Sequence, residues 1–546
     1  MFKQMAAIAL FAALIAAIFG CNEDTPPDFR VLPSESSIEI YQGDSGSVGI
    51  TLSAYGNFRG NVNIDLKLPG GRDLPPGITY EPHSVNVDRS TINFDLTISA
   101  SDTAPVGSYN TAMTFSSGKI SHSIGFSITV YPPAGSLDES FANNGVAIVN
   151  DVTQNQGEDD LAYSVAFGNN RSLYVLGRSN DHLIAYEIKT DGSLDQTFAE
   201  NNVYLDLAQM RPLDEDTLDF DLDRAVQLFF GGGYVVTGYA YDDANDNLLI
   251  ASFDPDGKLL SKDLKDGLIA DAGLKNVNDR GYSIMETRSG YAIAGMGYQN
   301  SGNTEQLLLA RDYSAYDDDG NLQHFFKTSA AGGEGYQSAY SLTLANTADA
   351  SEGYFAVGET STAIGRTGFW AQFDSDGILV ASGNLDAFAG GRVRSVIMSN
   401  DGGYLLAGYR MGDNSFDMVV EKLKANGSPD ANFGQNGLVV LDNIAGGSSP
   451  GADRAFSLIQ DRDGRILVAG RSFSNGHDDD LIVVRFNPDG SLDEKFGENG
   501  VFSYDGGYGD DGAFEITFDP YGMIVVVGYT TNVNGDLDTL ALRLNP

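Results

Sequence analysis

The sequence predicts an all-β protein in which a small β-sandwich precedes a closed ring of repeated four-stranded units. Three observations lead to this fold class. Apolar and polar side chains alternate with a period of two in residues 30–132, as they do in half-buried strands. A strand that ends in glycine recurs about every 60 residues from residue 134 onward. The chain also holds 65 glycines and only 17 prolines among 546 residues, which fits short strands joined by frequent turns.

Residues 1–20 are predicted to be a signal peptide. Lys3 is followed by an apolar run over residues 6–19, which is too short to span a bilayer comfortably and gives way to polar residues. Residues 18–21 (Ile-Phe-Gly-Cys) resemble the bacterial lipobox, a motif that implies lipidation of its cysteine. Phe19 departs from the small or β-branched residue that is usual at its position in that motif.

Cys21 is the only cysteine of the chain, so no intramolecular disulfide can form. An exported protein with one thiol at the end of its signal peptide is expected to use that thiol for another purpose, and we predict that Cys21 is lipidated. Residues 21–29 then form a short tether. The alternative is an incidental cysteine in an uncleaved anchor. Both interpretations predict a chain that is tethered to a membrane of the bacterial cell envelope. We expect the outer membrane, on its periplasmic or surface face, although the sequence itself does not distinguish between the membranes or their leaflets.

Residues 30–132 are predicted to form the sandwich. The alternation is clearest over residues 92–98 and 124–130, and glycine-rich turns separate about seven short strands in all. The layout resembles bacterial immunoglobulin-like domains, although the cysteine pair of antibody domains is absent. The resemblance implies that this domain is a spacer between the membrane and the rest of the chain.

Residues 134–546 hold the repeat. The glycines that end the recurring strand are Gly177, Gly238, Gly295, Gly358, Gly408, Gly470 and Gly528. An apolar strand comes before each of these strands and another comes after it, and a Gly-Ser-x-Asp turn followed by phenylalanine introduces a fourth. Four strands per unit, repeated seven times, predict a seven-bladed β-propeller.

The two ends of the repeat region complement each other. The seventh unit stops after its third strand, at residues 540–544, whereas an additional Gly-Ser-x-Asp turn lies at residues 135–138 with Phe141 behind it. Pairing this N-terminal strand with the last unit closes the ring and removes its exposed edges. The sequence therefore predicts a closed propeller rather than an open solenoid.

Over residues 134–546 the chain resembles the delta-60 family of bacterial propeller repeats. The resemblance is strongest in the units that begin near Leu161, Arg392 and Arg454, where the Gly-Ser-x-Asp turn and its phenylalanine are intact. It is weaker in the second to fourth units, whose fourth strands are degenerate. The resemblance implies a propeller in an extracytoplasmic protein, and it implies no common activity, since a fold alone does not define a function.

Aspartates recur where the innermost strand of each unit begins. Five of the seven units have one: Asp160, Asp223, Asp279, Asp453 and Asp511. These carboxylates are expected around the mouth of the central channel, where they repel one another unless a cation or hydrogen-bond donors compensate. Oxygen ligands of this kind suit calcium, which makes the five aspartates a candidate calcium site. The alternative is that they accept backbone hydrogen bonds at the strand starts.

The formal net charge of −42, from 75 acidic and 33 basic residues, limits the classes of partner. Phosphate backbones and anionic lipids are repelled, which excludes nucleic acid as a partner and leaves the lipid anchor as the only membrane contact. Cationic partners, calcium in particular, fit the sign of the charge. The alternative is that the excess acid keeps an extracellular surface solvated.

The sequence offers little evidence for an enzyme. The five histidines are isolated from one another, and the chain has no nucleophile elbow, phosphate-binding loop or dinucleotide fingerprint. The predicted function is therefore a membrane-anchored binding or adhesion module for an extracytoplasmic protein or glycan. The alternative is an extracellular enzyme that acts on polysaccharide through acidic residues at the channel mouth, a class that uses paired carboxylates.

Overall fold

The computed structural model describes residues 26–546 with several gaps. The gaps are residues 89, 151, 153–156, 158, 168–171, 181, 199–203, 210–225, 229–233, 242–245, 255–257, 266–277, 288–289, 300–303, 317–321, 332–335, 347–351, 363–364, 447–450 and 475–477. Cys21 and Asp223 therefore lie outside the described residues. The chain separates into two compact units, of which the first ends at Ala134 and the second begins at Gly135.

The first unit is built from two antiparallel-rich sheets. Its strands are β1 (Asp28–Pro33), β2 (Ser37–Tyr41), β3 (Ser45–Tyr55), β4 (Gly60–Lys67), β5 (Ile78–Glu81), β6 (Ser84–Val87), β7 (Thr91–Ala100), β8 (Gly107–Ser117) and β9 (Ile120–Tyr131). One sheet has the order β1-β3-β7-β5 and the other has the order β2-β9-β8-β4-β6. Strands β2 and β9 are parallel. Alternate residues are buried, as Val48, Ile50 and Leu52 show in β3, so the period of two in the sequence corresponds to one buried face.

The described residues of this unit contain more strand than the sequence predicts. About seven strands are expected and nine are present, because Asp28–Pro33 and Ser84–Val87 also pair. The predicted tether ran to Phe29, whereas β1 begins at Asp28 and Phe29 is only 1% exposed. These two strands have six and four residues and lie outside the segments in which the alternation is clearest.

The second unit consists of four-stranded sheets. Its strands are β10 (Val146–Val149), β11 (Asp160–Phe167), β12 (Leu173–Ser179), β13 (His182–Ile188), β14 (Tyr204–Gln209), β15 (Val226–Leu228), β16 (Tyr234–Tyr241), β17 (Asp246–Phe253), β18 (Leu259–Lys265), β19 (Asp279–Glu286), β20 (Gly290–Gln299), β21 (Thr304–Tyr316), β22 (Leu322–Ala331), β23 (Gln337–Asn346), β24 (Glu352–Thr362), β25 (Gly365–Phe373), β26 (Leu379–Leu385), β27 (Arg392–Met398), β28 (Tyr404–Met411), β29 (Phe416–Leu423), β30 (Leu438–Leu441), β31 (Asp453–Gln460), β32 (Ile466–Phe473), β33 (Asp479–Phe486), β34 (Val501–Tyr504), β35 (Gly512–Phe518), β36 (Ile524–Thr531) and β37 (Leu537–Leu544). A 3-10 turn lies at Asp386–Phe388.

Within its described residues, the second unit has seven sheets of four strands each. Six of them take four consecutive strands, and we number them sheet 1 (β11–β14) to sheet 6 (β31–β34). Sheet 7 has the order β10-β37-β36-β35, so its fourth strand comes from the start of the unit. Val146 of β10 lies opposite Leu542 of β37 in this antiparallel pair. The prediction of an all-β fold is confirmed.

Neighbouring sheets are joined through their first strands. The Ser341 hydroxyl of sheet 4 accepts the Val396 N–H of sheet 5 at 3.0 Å, and the Ser395 hydroxyl of sheet 5 accepts the Leu458 N–H of sheet 6 at 3.2 Å. The same link joins the last sheet to the first, where a Glu515 carboxylate oxygen accepts the Val165 N–H at 2.9 Å. Each link satisfies a backbone donor that faces a neighbouring sheet rather than a partner strand.

The recurring glycine is required by a β-bulge. In six of the seven sheets the pairing of the described first and second strands shifts by one residue, for example between Ala455 and Ser457 in sheet 6. The bulge turns a first-strand carbonyl toward the glycine of the second strand. A Cβ atom on Gly470 would lie 1.9 Å from the Arg454 carbonyl oxygen, a distance that no side chain tolerates. The glycine thus marks a close approach of two backbones.

We expect Gly470→Ala to lower the free energy of unfolding by about 3 kcal/mol, because the new methyl group forces β31 and β32 apart. Thermal unfolding monitored by circular dichroism measures the effect. Gly125→Ala is the control, since a Cβ atom there meets nothing within 4 Å, and we expect a change within about 0.5 kcal/mol. Equal melting temperatures for Gly470→Ala and the unchanged chain would contradict the close approach.

In sheets 6 and 7 the Gly-Ser-x-Asp turn is bound to the third strand of its own sheet. In sheet 6 the Arg485 guanidinium donates to the Asp493 carboxylate at 2.9 Å and lies 4.6 Å over the ring of Phe496. Arg543, Asp138 and Phe141 repeat this arrangement in sheet 7, with an ion pair of 2.7 Å. The described contacts therefore give the motif a structural role.

Candidate functional site

The predicted aspartates lie where the first strands begin. Asp160, Asp279 and Asp453 are the first residues of β11, β19 and β31, and Asp511 directly precedes β35. All four are buried, with at most 1% of the residue exposed. Their positions, and the loops around them, form what we call the acidic end of the second unit.

The buried aspartates accept hydrogen bonds from the loops that lead into their strands. One Asp453 oxygen accepts the Asn443 N–H at 2.6 Å, and the other accepts the Ile444 N–H at 3.2 Å and the Ser472 hydroxyl at 2.5 Å. Asp511 accepts the Gly506 N–H at 2.6 Å in the same manner. An Asp160 oxygen accepts the Val152 N–H at 2.9 Å. These bonds are the ones expected of the capping interpretation.

The calcium interpretation stays a prediction. Among the described residues, no three histidine, cysteine or carboxylate side chains are arranged to hold a metal ion. Asp223 was predicted as a fifth ligand and lies outside the part of the chain that the structure describes. In sheet 4 the corresponding position is taken by Gln337, which is 4% exposed, so a buried polar side chain recurs there without a charge.

Among the described residues, a group of acidic side chains lies between sheets 6 and 7. We call Asp478, Asp479, Asp480, Asp505, Asp510 and Asp511 the acidic cluster. Its two loops are bonded to each other, since the Asp479 N–H donates to the Asp510 carboxylate at 2.9 Å and the Asp511 N–H donates to the Asp479 carbonyl at 2.6 Å. The loops therefore hold the carboxylates in fixed proximity.

Burial and mutual repulsion raise the pKa values in the acidic cluster. Burial first, and then the charge of Asp505, raises the pKa of Asp480 to about 6. Burial also raises the pKa of Asp511 to about 6, against the hydrogen bond from Gly506 and with added repulsion from Asp505 and Asp480. The cluster consequently holds charge that the fold itself does not fully neutralise.

Arginines compensate the more deeply buried acids. Arg471 lies 3.2 Å from Asp479 and also donates to the Tyr529 hydroxyl at 3.0 Å. Arg410 forms an ion pair of 3.2 Å with Asp417 of the same sheet. The recurring aspartates were identified from the sequence, but the pairing of arginines with the buried acids was not predicted. The available signal was the recurrence of arginine in the first and second strands.

The side chain at the bulge of a first strand is buried and lies between that strand and the first strands of the neighbouring sheets. In six of the seven sheets, as far as they are described, these residues are Tyr163, Tyr282, Tyr340, Arg394, Phe456 and Phe514. They contact one another in sequence, with ring centroids 5.3 Å apart for Tyr282 and Tyr340 and 5.8 Å apart for Phe456 and Phe514. The Arg394 guanidinium lies 4.7 Å over the Tyr340 ring and 5.8 Å over the Phe456 ring. Large side chains thus fill the space between these first strands.

A comparison with protein families matches part of the second unit. The model of a family described as "Domain of unknown function (DUF5122) beta-propeller" matches residues 462–496 and 522–546, which lie in sheets 6 and 7. Together with the all-β architecture, this partial match supports a β-propeller in the matched region of the chain. A search of curated proteins finds no match to the chain.

Solved structures give weak similarities. The periplasmic chaperone SfaE is 10% identical and covers 30% of this chain and 95% of its own, with a TM-score of 0.16. The GspB Siglec domain is 13% identical and covers 31% and 96%, with a TM-score of 0.17. Sqt1 from Chaetomium thermophilum is 13% identical and covers 56% and 79%, with a TM-score of 0.31. At such TM-scores these likenesses carry no argument about fold or function.

Proposed function

We propose that this chain is an exported bacterial lipoprotein whose second unit binds a partner outside the cytoplasm. The export signal and the lipidated Cys21 rest on the sequence of residues 1–21. In the described part of the chain, no helix is long and apolar enough to span a membrane. The proposal assigns membrane attachment to the lipid alone.

In this proposal the second unit is a seven-bladed β-propeller and each sheet is one blade. The antiparallel pair of β10 and β37 supports closure of the ring, as does the hydrogen bond from Val165 to Glu515 between the last sheet and the first. The first unit is then an immunoglobulin-like spacer, for which its two packed sheets are the support.

The acidic cluster is the observation that carries the proposed binding function. Its carboxylates are held together although burial and repulsion disfavour their charges, as the raised pKa values of Asp480 and Asp511 indicate. A positively charged partner relieves this repulsion, so its binding to the acidic cluster is electrostatically favourable. Of the two partner classes predicted, protein and glycan, a protein with a basic surface supplies that charge directly.

Removing charge from the less buried members of the acidic cluster tests the proposal. Titration calorimetry with an oligolysine peptide compares the chain from residue 22 onward with a variant that carries Asp478→Asn and Asp505→Asn. We expect the double change to weaken binding about tenfold, since it removes two of the charges that attract the peptide.

The control for this experiment is the pair Glu494→Gln and Glu498→Gln. Both residues are exposed on the outer turn of sheet 6, and the pair changes the net charge by the same amount. Equal weakening by the two pairs would mean that the peptide responds only to the net charge, and the acidic cluster would lose its assigned role.

A further inference from the structure

A cleft of about 460 Å³ opens between sheets 6 and 7, at the opposite end of the strands from the acidic cluster. Its walls are two equivalent turns between first and second strands, residues 461–464 of sheet 6 and residues 519–522 of sheet 7. We call it the turn cleft. Its volume falls within the range of about 300–1,000 Å³ that is usual for small-molecule sites.

The corresponding space between sheets 5 and 6 is bridged. There the Asn400 N–H donates to the side-chain oxygen of Gln460 at 2.8 Å, and the Asn400 side chain donates to the Asp461 carbonyl at 2.9 Å. In the turn cleft, Arg462 takes the position of Asn400 and Phe518 takes that of Gln460. The ring of Phe518 offers no hydrogen-bond acceptor, so the same bridge cannot form and the cleft stays open.

The arginines of the turn cleft are paired with carboxylates, with one exception. Arg465 lies 2.6 Å from Asp461 and 3.4 Å from Asp463. Arg485 is engaged by Asp493 at 2.9 Å.

Arg462 is the exception. It is exposed, and its guanidinium makes no hydrogen bond or ion pair with any residue that the structure describes. The lining holds three arginines and three aspartates, and Arg462 is the one of these arginines that no described carboxylate engages. An anionic group that approaches the cleft can pair with Arg462, and screening limits the reach of the distant acids of the chain.

An aromatic surface adjoins this cation. Tyr521 is 62% exposed on the opposite wall, and Pro520 precedes it. Asp519 is engaged in its own turn, where it accepts the Tyr521 N–H at 2.8 Å and the Met523 N–H at 2.9 Å, and so fixes the backbone that carries the ring. An exposed ring that stands on a fixed turn is a rigid platform for the apolar face of a ligand.

We propose that the turn cleft binds a saccharide unit that carries a carboxylate. The Arg462 guanidinium pairs with the carboxylate, a geometry that allows two parallel hydrogen bonds. The Tyr521 ring packs against the apolar face of the sugar, and Asp463, whose side chain is 79% exposed, accepts from its hydroxyl groups. This site lies at the other end of the sheets from the acidic cluster and does not depend on the function assigned to that cluster.

Titration calorimetry with a disaccharide of glucuronate, and with the corresponding disaccharide of glucose, tests the proposal on the chain from residue 22 onward. We expect the glucuronate disaccharide to bind at least about tenfold more tightly than the uncharged one. Arg462→Ala and Tyr521→Ala should each weaken binding of the glucuronate disaccharide by about tenfold or more.

Two matched controls come from elsewhere in the second unit. Lys424→Ala removes an exposed cation outside the cleft. Tyr508→Ala removes a ring that is 63% exposed and lies before β35, whereas Tyr521 follows that strand. Both controls should bind as the unchanged chain does, and thermal unfolding checks that each of the four variants is folded. Absence of glucuronate binding, equal binding of the uncharged disaccharide, or unchanged binding by Arg462→Ala would each overturn the proposal.

Discussion

A chain with Cys21→Ser should leave the membrane fraction and appear among the soluble proteins of the envelope. A serine hydroxyl lacks the thiol to which the lipid is attached, and each buried methylene group of a lipid contributes about 0.8 kcal/mol to membrane binding. Loss of the acyl chains therefore removes the anchor altogether. Fractionation of cells that express each form, followed by detection of the chain in each fraction, measures the result.

The neighbouring substitution Asn22→Ser is the control, because it introduces the same side chain one residue later and leaves the thiol in place. We expect this variant to remain with the membrane. If Cys21→Ser also remains there and resists extraction at high pH, the lipid is not the anchor. The uncleaved apolar segment over residues 6–19 would then be the attachment.

The all-β class was predictable because its signals are local. Period-two alternation depends only on neighbouring residues, and the buried face of β3 follows it through Val48, Ile50 and Leu52. The recurring glycines were equally visible, and the structure supplies their reason. At Gly470 the backbone of one strand comes so close to the next that a methyl group has no room.

The contacts between sheets were not predictable, because they depend on register across segments far apart in the chain. A bulge adds one residue to the first strand and so decides which side chain faces inward. In sheet 5 that residue is Arg394, which lies over Tyr340 and Phe456 from the two neighbouring sheets. Nothing in the local sequence distinguishes this buried cation from an arginine on the surface.

The role of the predicted aspartates was left open for a similar reason. Whether Asp453 faces a cation or a backbone N–H depends on the path of the loop that precedes it. The structure brings Asn443 and Ile444 to its oxygens, ten and nine residues earlier in the chain. That path is set by the packing of sheets 5 and 6 and has no signature in the recurring aspartate.

We expect Asp511→Asn to stabilise the second unit at about pH 7.5, by an amount on the order of 2 kcal/mol. Burial raises the pKa of Asp511 to about 6 in the folded chain, from 3.8 in the unfolded chain. The folded state therefore binds more protons than the unfolded state between these values, and stability falls as pH rises from about 4 to about 6. Asparagine keeps an oxygen for the Gly506 N–H and carries no charge.

Thermal unfolding in a chelator, at about pH 7.5 and about pH 4, measures this effect. The melting temperature of Asp511→Asn should exceed that of the unchanged chain at the higher pH, and the difference should shrink at the lower pH. Asp401→Asn is the control, for which we expect a change in melting temperature of the opposite sign. Hydrogen bonds from Lys422 and Ser399 lower the pKa of Asp401 to about 2, so its charge stabilises the fold and its loss should lower the melting temperature at about pH 7.5.

The same experiment in calcium decides between the two interpretations of the aspartates. If calcium binds at Asp511, it stabilises the unchanged chain by mass action, and Asp511→Asn loses that gain because an amide is a poorer ligand than a carboxylate. If Asp511 only caps the loop through Gly506, calcium moves neither melting temperature, and the advantage of asparagine at about pH 7.5 is the same with and without the ion. A variant that is less stable than the unchanged chain in chelator at this pH would contradict the expected gain from removing this disfavoured charge.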